Sequence, residues 1–344
     1  MTVAMADWGK RLSDTLRAAL AAGDLATAAR LVEDGDGMAR SLAKEYTLMY
    51  RGLGITLRVM QPLLLALALR TAKEEALCAH LRDFAQDIDA LAQAAWGTTP
   101  GPVQAGPGVV PASAAFEASL SAAEAGFEPA HRANAAAVLA AILAGDAAGA
   151  QALVEHKVAV LYLPLHDRLV RWMADSMAFA LRHGGEEGLL RFQMDSAQGQ
   201  RAGFDKWEDL SAAEFAQASA FLLKMHMGNL TVSEDAQRYT LSQSLCGSGG
   251  RLRVMGAYAG PQALPFVETA GPLTFGLPRL PVYCSHCPIW NGTATLAWYG
   301  RVHWLFEQPA RADGSCTAHI YKRAADSPAA LVDVLRLSAP THAA

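Results

Sequence analysis

The chain has 344 residues, enough for two ordinary domains, each with its own hydrophobic core. Apolar residues make up 52% and charged residues 18% of it, which excludes an intrinsically disordered chain. The formal net charge is −4 and no block of Lys or Arg occurs, which argues against nucleic acid or an anionic membrane as a partner.

The chain starts with "MTVAMADWGKRLSDTLRAAL", which lacks the basic segment and apolar run of a secretory signal. Its longest apolar run, "MQPLLLALAL" from Met60, is about half the length of a bilayer span. We therefore expect a cytoplasmic protein whose partner is a small-molecule ligand or substrate, and the sequence is compatible with a homodimer. In a reducing cytosol, clustered cysteines are more often metal ligands or redox thiols than disulfides.

Residues 1–95 and 114–237 are rich in Ala and Leu at helical spacing, with Asp and Ser at plausible cap positions. They predict two helical units. Residues 96–113, "WGTTPGPVQAGPGVVPAS", are dense in Gly and Pro and predict a linker between the units.

The two helical units share a sequence pattern. "LRAALAAGDLATAARLVE" ends at Glu33 and "VLAAILAGDAAGAQALVE" ends at Glu155, so the offset is 122 residues. The pattern predicts a duplicated helical unit. Ala-rich helices joined by a Gly-Asp turn would also resemble each other by composition alone.

Residues 238–344 have a different character. Short β-branched or aromatic segments separated by Gly and Pro predict strands; they are "RYTLSQSL", "RLRVMGAY", "TATLAWYG", "HWLFEQ" and "CTAHIYK". The predicted fold class is α+β: a mostly helical N-terminal region followed by a smaller mixed α/β domain that contains cysteines and binds a metal.

Four of the five cysteines fall in this last part: Cys246, Cys284, Cys287 and Cys316. A Cys-x-x-Cys pair and two outlying cysteines can supply the four ligands of a tetrahedral zinc site, and iron is the alternative metal. His286, His319 and His226 are spare candidates for a ligand. A redox Cys-x-x-Cys normally opens a helix, whereas Pro281 and Pro288 flank this pair amid strand-like sequence. Unligated buried thiols are the third interpretation.

"CSHC" is followed, about thirty residues later, by "ADGSCTAHIYKR". This arrangement resembles the C-terminal part of 4-vinyl reductase domains and of L-2-amino-thiazoline-4-carboxylic acid hydrolase-like proteins, over roughly residues 238–323. Cys284, Cys287 and Cys316 match the family pattern, whereas Ala318 replaces the aromatic residue that often follows the last cysteine by two. The resemblance implies a metal-bearing α+β domain around a small aromatic or heterocyclic ligand, and a hydrolytic ring opening or C–N cleavage as the reaction.

The densest polar stretch of the helical half is "VEHKVAVLYLPLHDRLVRW". Glu155 and His166 would share a face of a continuous helix. His166 and Asp167 could act as a base and its orienting carboxylate if the tertiary structure turned them together, since neighbours on a helix point about 100° apart. We list Glu155, His166, Asp167 and His226 as candidate catalytic residues. The alternative is a surface pair of Asp167 with Arg171 and a packed His166, and a histidine between methionines, as His226 is, is commonly a core residue.

Two functions remain open on the sequence. The first is a metal-dependent enzyme that acts on a small molecule, with a histidine that moves protons. The second is a small-molecule-binding or sensory protein with a structural zinc, because four thiolates make a closed site.

Overall fold

The computed structural model describes residues 3–97, 107–307 and 314–337. Nine helices occupy the first two thirds of the described chain. They are α1 (Leu12–Ala21), α2 (Leu25–Asp34), α3 (Thr47–Thr71), α4 (Glu74–Trp96), α5 (Val109–Leu143), α6 (Ala147–His156), α7 (Leu163–Gly199), α8 (Arg201–Glu208) and α9 (Ala212–Met225). Helix α7 is broken at Gly185, which has a φ of 65°.

The main core forms where α3 packs on α7 and α4 packs on α5. Leu57 and Leu64 of α3 and Trp172 of α7 are fully buried there. Within the described ranges, one stretch, Leu42–Thr71, is long and apolar enough to cross a membrane, and its buried residues face this core. The core helix of a globular protein can have the same length and hydropathy as a membrane span.

The two similar sequence segments fold into the same local motif. Gly23 and Gly145 both have positive φ, at 72° and 76°, between a preceding and a following helix. The next residue caps the second helix in both cases: the Asp24 carboxylate accepts from the backbone N–H of Thr27, and the Asp146 carboxylate from that of Gly149. The helix pairs α1–α2 and α5–α6 pack on each other around one small apolar cluster.

A π-helical segment, Lys157–Tyr162, connects α6 to α7, with Pro164 in the first turn of α7. The segment buries Lys157, whose Nζ lies 2.7 Å from Nδ1 of His131 and over the ring of Tyr46. It also buries Tyr162, whose hydroxyl donates to the carbonyl of Met225 at the end of α9. The irregular backbone therefore places two polar side chains inside the helical core.

The last third of the described chain holds six strands and four short helices. The strands are β1 (Leu230–Glu234), β2 (Arg238–Gln243), β3 (Phe266–Val267), β4 (Leu280–Pro281), β5 (Leu305–Glu307) and β6 (Cys316–Tyr321). The helices are α10 (Gly249–Val254), α11 (His286–Pro288), α12 (Ala294–Tyr299) and α13 (Ala329–Leu335). An antiparallel sheet has the order β1-β2-β6-β5, and its register places Gln243 opposite Cys316. Facing residues of an antiparallel pair present their side chains on the same side of the sheet.

The α+β fold is confirmed as a mostly helical chain with a small antiparallel sheet near its C-terminal end. Strand β1 lies before the predicted boundary at residue 238, and Tyr283, Ile289 and Trp290 join the same hydrophobic cluster as the helical half. The linker predicted at residues 96–113 extends too far toward the C-terminus, because α5 already begins at Val109. Residues 98–106 of that linker lie outside the described residues.

Two of the predicted strands are wrong. "RLRVMGAY" contains α10, and "TATLAWYG" contains the end of a π-helical segment, Ile289–Thr293, and α12. Both segments are short and apolar, a pattern that does not distinguish a buried helix from a strand. The Cys-x-x-Cys pair also lies in helical backbone: Cys284 in a 3-10 turn, Val282–Ser285, and Cys287 in α11.

Candidate functional site

A cavity of about 980 Å³ opens between the helical half and the cysteine-bearing segments. Helices α3, α8 and α9 form its outer part, with Ile55, Lys206 and Glu214 at exposed positions. Cys246, Cys284, Cys287 and Cys316 all line it. The structure therefore brings the four predicted cysteines to one cavity, at the junction of the two halves of the chain.

Three different structural elements supply the thiols. Cys246 precedes α10, Cys284 and Cys287 lie on the helical Cys-x-x-Cys turn, and Cys316 begins β6. Cys284 and Cys316 are nearly fully buried, at 4% and 3% exposure. Strand pairing of β6 with β2 and the glycine-rich turn before α10 are thus both needed to assemble the cluster.

Burial raises the pKa of the Cys284 thiol to about 12, although the hydrogen bond and charge of Arg253 act in the opposite direction. Burial and the neighbouring cysteines also raise the pKa values of Cys287 and Cys316 well above that of an ordinary thiol. Each of these thiols is therefore held neutral by burial, and the neighbouring cysteines add to the effect. A redox-active Cys-x-x-Cys normally has a lowered thiol pKa, so the pair does not fit that class.

Within the described ranges, no group of three or more His, Cys, Asp or Glu side chains is arranged at ligand distances around one point. The thiols surround a shared space rather than a preformed coordination shell. Their chemistry suits a soft or borderline cation such as zinc or ferrous iron. Arg253 would offset part of the negative charge of deprotonated ligands.

The turn "CGSGG" packs closely on the site: a side chain at Gly247 would clash with backbone, and one at Gly249 would make a tight contact with a thiol. A Cβ at Gly247 would lie 1.8 Å from the backbone oxygen of His226, and one at Gly249 would lie 3.0 Å from Sγ of Cys284. The turn leads into α10, where the backbone N–H of Arg251 donates to the carbonyl of Cys246. The chain segment that holds one thiol therefore also fixes the position of His226.

His286 forms a hydrogen-bonded pair with Cys287. Its Nδ1 donates to the carbonyl of Tyr283, so Nε2 is the acceptor and lies 3.6 Å from Sγ of Cys287. Burial lowers the pKa of His286 to about 4, which keeps the imidazole neutral at physiological pH.

His166, Asp167 and His226 form a continuous hydrogen-bonded relay that ends at the cavity. Nδ1 of His166 lies 3.0 Å from Oδ1 of Asp167, and Nε2 of His166 lies 2.9 Å from Nδ1 of His226. Arg251 holds both carboxylate oxygens of Asp167, with Nε 3.0 Å from Oδ1. His166 is fully buried, whereas His226 is partly exposed and lines the cavity.

The charges of the relay fix the tautomer of each histidine. Burial raises the pKa of Asp167, but hydrogen bonds from His166 and Arg251 prevail and hold it below the ordinary value, so the carboxylate is ionised. Burial lowers the pKa values of His166 and His226, so both imidazoles are neutral. An ionised Asp167 requires a proton on Nδ1 of His166, whose Nε2 then accepts from Nδ1 of His226. Nε2 of His226 is left with its lone pair, as a base or a ligand requires.

The other sequence candidates lie elsewhere. Glu155 is exposed and pairs with Arg17 at 2.9 Å, because the π-helical segment after α6 interrupts the continuous helix that would have aligned it with His166. His319 lies on the opposite face of β6 from Cys316 and contacts Glu307. Asp167 does not pair with Arg171, which instead contacts Asp175.

No family model, curated protein or solved structure matches this chain. The likeness of the cysteine region to 4-vinyl reductase domains therefore stays an expectation from a few residues.

Three site residues escaped the sequence analysis: Arg251, Arg253 and Gln243. Arg251 contacts the relay and Arg253 contacts the thiols, although only one residue separates them in "GGRLRV". Two arginines directly after a glycine-rich cysteine turn were a visible signal. Nothing in the sequence distinguished Gln243 from other polar residues of a strand.

Proposed function

We propose that the protein is a metal-dependent hydrolase that acts on a small aromatic or heterocyclic molecule and cleaves a C–N bond or opens a ring. The observation that carries this proposal is that one cavity receives both the four cysteines and the end of the Asp167–His166–His226 relay. A structural zinc needs no proton relay beside it. A metal-dependent hydrolytic site needs a bound cation, a base and room for a substrate.

The thiols are the metal ligands in this proposal, with zinc as the favoured ion and iron as the alternative. Bound zinc would polarise the scissile carbonyl or imine group and lower the pKa of a coordinated water. An open coordination position is required, so three of the four thiols bind the ion. We take Cys246 as the thiol that leaves the position open, since it is partly exposed and the other three cysteines are the ones that match the family pattern.

The relay supplies proton transfer. Nε2 of His226 accepts a proton from the attacking water while the water oxygen bonds to the substrate carbon. The C–N bond then breaks, and the same proton passes to the leaving nitrogen. The cation formed on His226 is shared with His166 and is stabilised by the ionised Asp167, which Arg251 holds in place.

The test measures separately what the metal and its thiol ligands contribute and what the relay contributes. Elemental analysis of the purified protein should give about one zinc or iron per chain, and the metal should protect three of the four thiols from alkylation. Cys284→Ser should lose the metal. His166→Ala should keep it but lose turnover on a panel of uncharged aromatic amides and heterocycles.

The competing function is a ligand-binding or sensory protein with a structural zinc. It is favoured if all four thiols are protected and if Cys284→Ser unfolds the chain. It would also be favoured if His166→Ala leaves every measured activity unchanged. A chain that binds no zinc or iron at all would contradict both functions.

A further inference from the structure

Gln243 lines the cavity with a carboxamide that is unpaired among the described residues. The side chain is fully buried and lines the cavity, yet neither Oε1 nor Nε2 has a hydrogen-bond partner among the described residues. It faces the same side of the sheet as Cys316, its partner in the β2–β6 register. A buried amide without partners destabilises a protein unless a ligand or water pairs with it.

The chain makes room for this carboxamide. A Cβ at Gly228, in the turn between α9 and β1, would lie 2.3 Å from Oε1 of Gln243. Gly228 is separated by only one residue from His226, the end of the relay. The carboxamide therefore packs closely against the turn that carries His226.

A second unpaired donor lies near the Cys-x-x-Cys turn. Nε1 of Trp290 is buried without a partner within the described ranges, and its ring lies 5.2 Å from that of His286. Trp304 also lines the cavity, but its indole N–H donates to the hydroxyl of Ser219 at 2.9 Å. The two tryptophans thus differ in whether a donor is available to a ligand.

The rest of the cavity offers little to a charged ligand. Lys206 and Glu214 lie at exposed positions, and Arg253 is engaged by the thiol of Cys284. Side chains such as Leu53, Phe221 and Trp207 give the length of the cavity an apolar and aromatic wall. A volume of about 980 Å³ is at the upper end of the range for drug-sized ligands.

We infer that the cavity binds an uncharged, mostly apolar molecule whose polar end is a carboxamide or a lactam. Such a group presents an acceptor and a donor to the carboxamide of Gln243 and a carbonyl acceptor to Nε1 of Trp290. A carboxylate would offer no donor to Oε1 of Gln243, and burial of its charge beside that unpaired oxygen would weaken binding. The inference deepens the proposed function, on which it rests, by naming the ligand class of the same cavity.

The experiment uses three probes with one scaffold: 6-phenyl-2-naphthamide, 6-phenyl-2-naphthoate and 2-phenylnaphthalene. Each competes for the full-length protein with the fluorescent dye N-phenyl-1-naphthylamine, and calorimetry gives the Kd directly. The amide should bind about tenfold more tightly than either of the other two. Gln243→Met should reduce this preference about fivefold and leave the Kd of 2-phenylnaphthalene within about twofold.

Trp290→Phe should also reduce the amide preference, whereas Trp304→Phe is the matched control that should not. The Trp290 variant tests the inference independently should Gln243→Met fail to fold, as judged by circular dichroism. Equal or tighter binding of the naphthoate, an amide preference that survives both variants, or no binding of any probe would overturn the inference.

All titrations are made on zinc-free and on zinc-loaded protein. An amide preference in a chain that binds no metal would refute the proposed hydrolase and leave the ligand class standing. Metal binding without an amide preference would refute the ligand class and leave the proposed hydrolase standing. The two failures are therefore distinguishable.

Discussion

Nε2 of His166 and Nδ1 of His226 lie 2.9 Å apart, although 60 residues separate the two histidines. His166 sits in the first turns of α7 and His226 caps the end of α9. Tyr162, just before α7, ties the two together by its hydrogen bond to the carbonyl of Met225. Through this contact the charge of the partly buried Asp167 acts on His226 at the wall of the cavity.

Asp167→Asn should weaken this relay without unfolding the protein. The amide keeps an acceptor for His166 but loses the charge that requires a proton on Nδ1, so His226 should populate both neutral tautomers. Long-range ¹H–¹⁵N spectra of histidine-labelled protein measure the tautomers, and turnover should fall by about 10²-fold or more.

Asp175→Asn is the matched control, because Asp175 lies on the same helix and pairs with Arg171 and Arg168 outside the relay. If the tautomers of His226 stay unchanged in the Asp167 variant, or change equally in the control, Asp167 is not its positioning residue.

Gly247→Ala should disrupt the thiol cluster. A Cβ there would collide with the backbone oxygen of His226, which cannot move away as a flexible side chain would. We expect a loss of more than about 2 kcal/mol in the free energy of unfolding and weaker metal protection of Cys284, Cys287 and Cys316. Chemical denaturation and thiol alkylation give the two readouts.

Gly203→Ala serves as its control. Gly203 lines the same cavity within α8, and nothing lies within 4 Å of the Cβ that the change adds. This helical substitution should stabilise the protein by about 0.5–1 kcal/mol. Equal stability of the two variants would contradict the close packing of the glycine-rich turn.

Gly23→Ala and Gly145→Ala should have similar effects, because both glycines adopt a positive φ in the same helix–turn–helix motif. Each should destabilise the protein by about 1–2 kcal/mol. Gly52→Ala, on the exposed face of α3 with open space around it, is the control and should be neutral or stabilising. A large difference between the two turn variants would argue against a duplicated unit.

The helical half and the sheet could be predicted because their signals are local. Apolar spacing, Gly-Asp turns and β-branched runs each report on a few neighbouring residues. The four cysteines could be predicted for a similar reason, since a Cys-x-x-Cys and two outlying cysteines are rare enough to suggest one site. The segment around Cys284 could not be assigned, because its helical backbone is buried and lacks amphipathic spacing.

The relay was predictable only in part. His166 and Asp167 were visible as polar residues in an apolar stretch, but their partners come from tertiary packing. Arg251 reaches Asp167 across 84 residues, and His226 reaches His166 from another helix. Glu155 shows the limit of helical periodicity, since the six π-helical residues after α6 change the direction of its side chain relative to that of His166. A single-sequence pattern carries no signal for such a segment.

Lys157 provides the last test, in the helical core and outside the cavity. It is fully buried beside His131 and Tyr46, and the charge of the buried Glu45 raises its pKa without overcoming the effect of burial, which lowers the pKa to about 8. An unfolded lysine has a pKa of about 10.4, so between about pH 8 and pH 10 the unfolded chain binds more protons than the folded one. The contribution of Lys157 to the free energy of unfolding must therefore rise with pH in this window.

Lys157→Met should abolish that rise and lower the free energy of unfolding by about 3 kcal/mol at neutral pH, because it removes the donor to Nδ1 of His131 and the positive charge that acts on the buried Glu45. Adding Glu45→Gln should restore part of the loss, since both charges are then gone. Urea denaturation at about pH 7 and about pH 9 measures all three proteins. A Lys157 variant as stable as the parent, or one with the same rise between the two pH values, would mean that Lys157 is not a buried cation of this core.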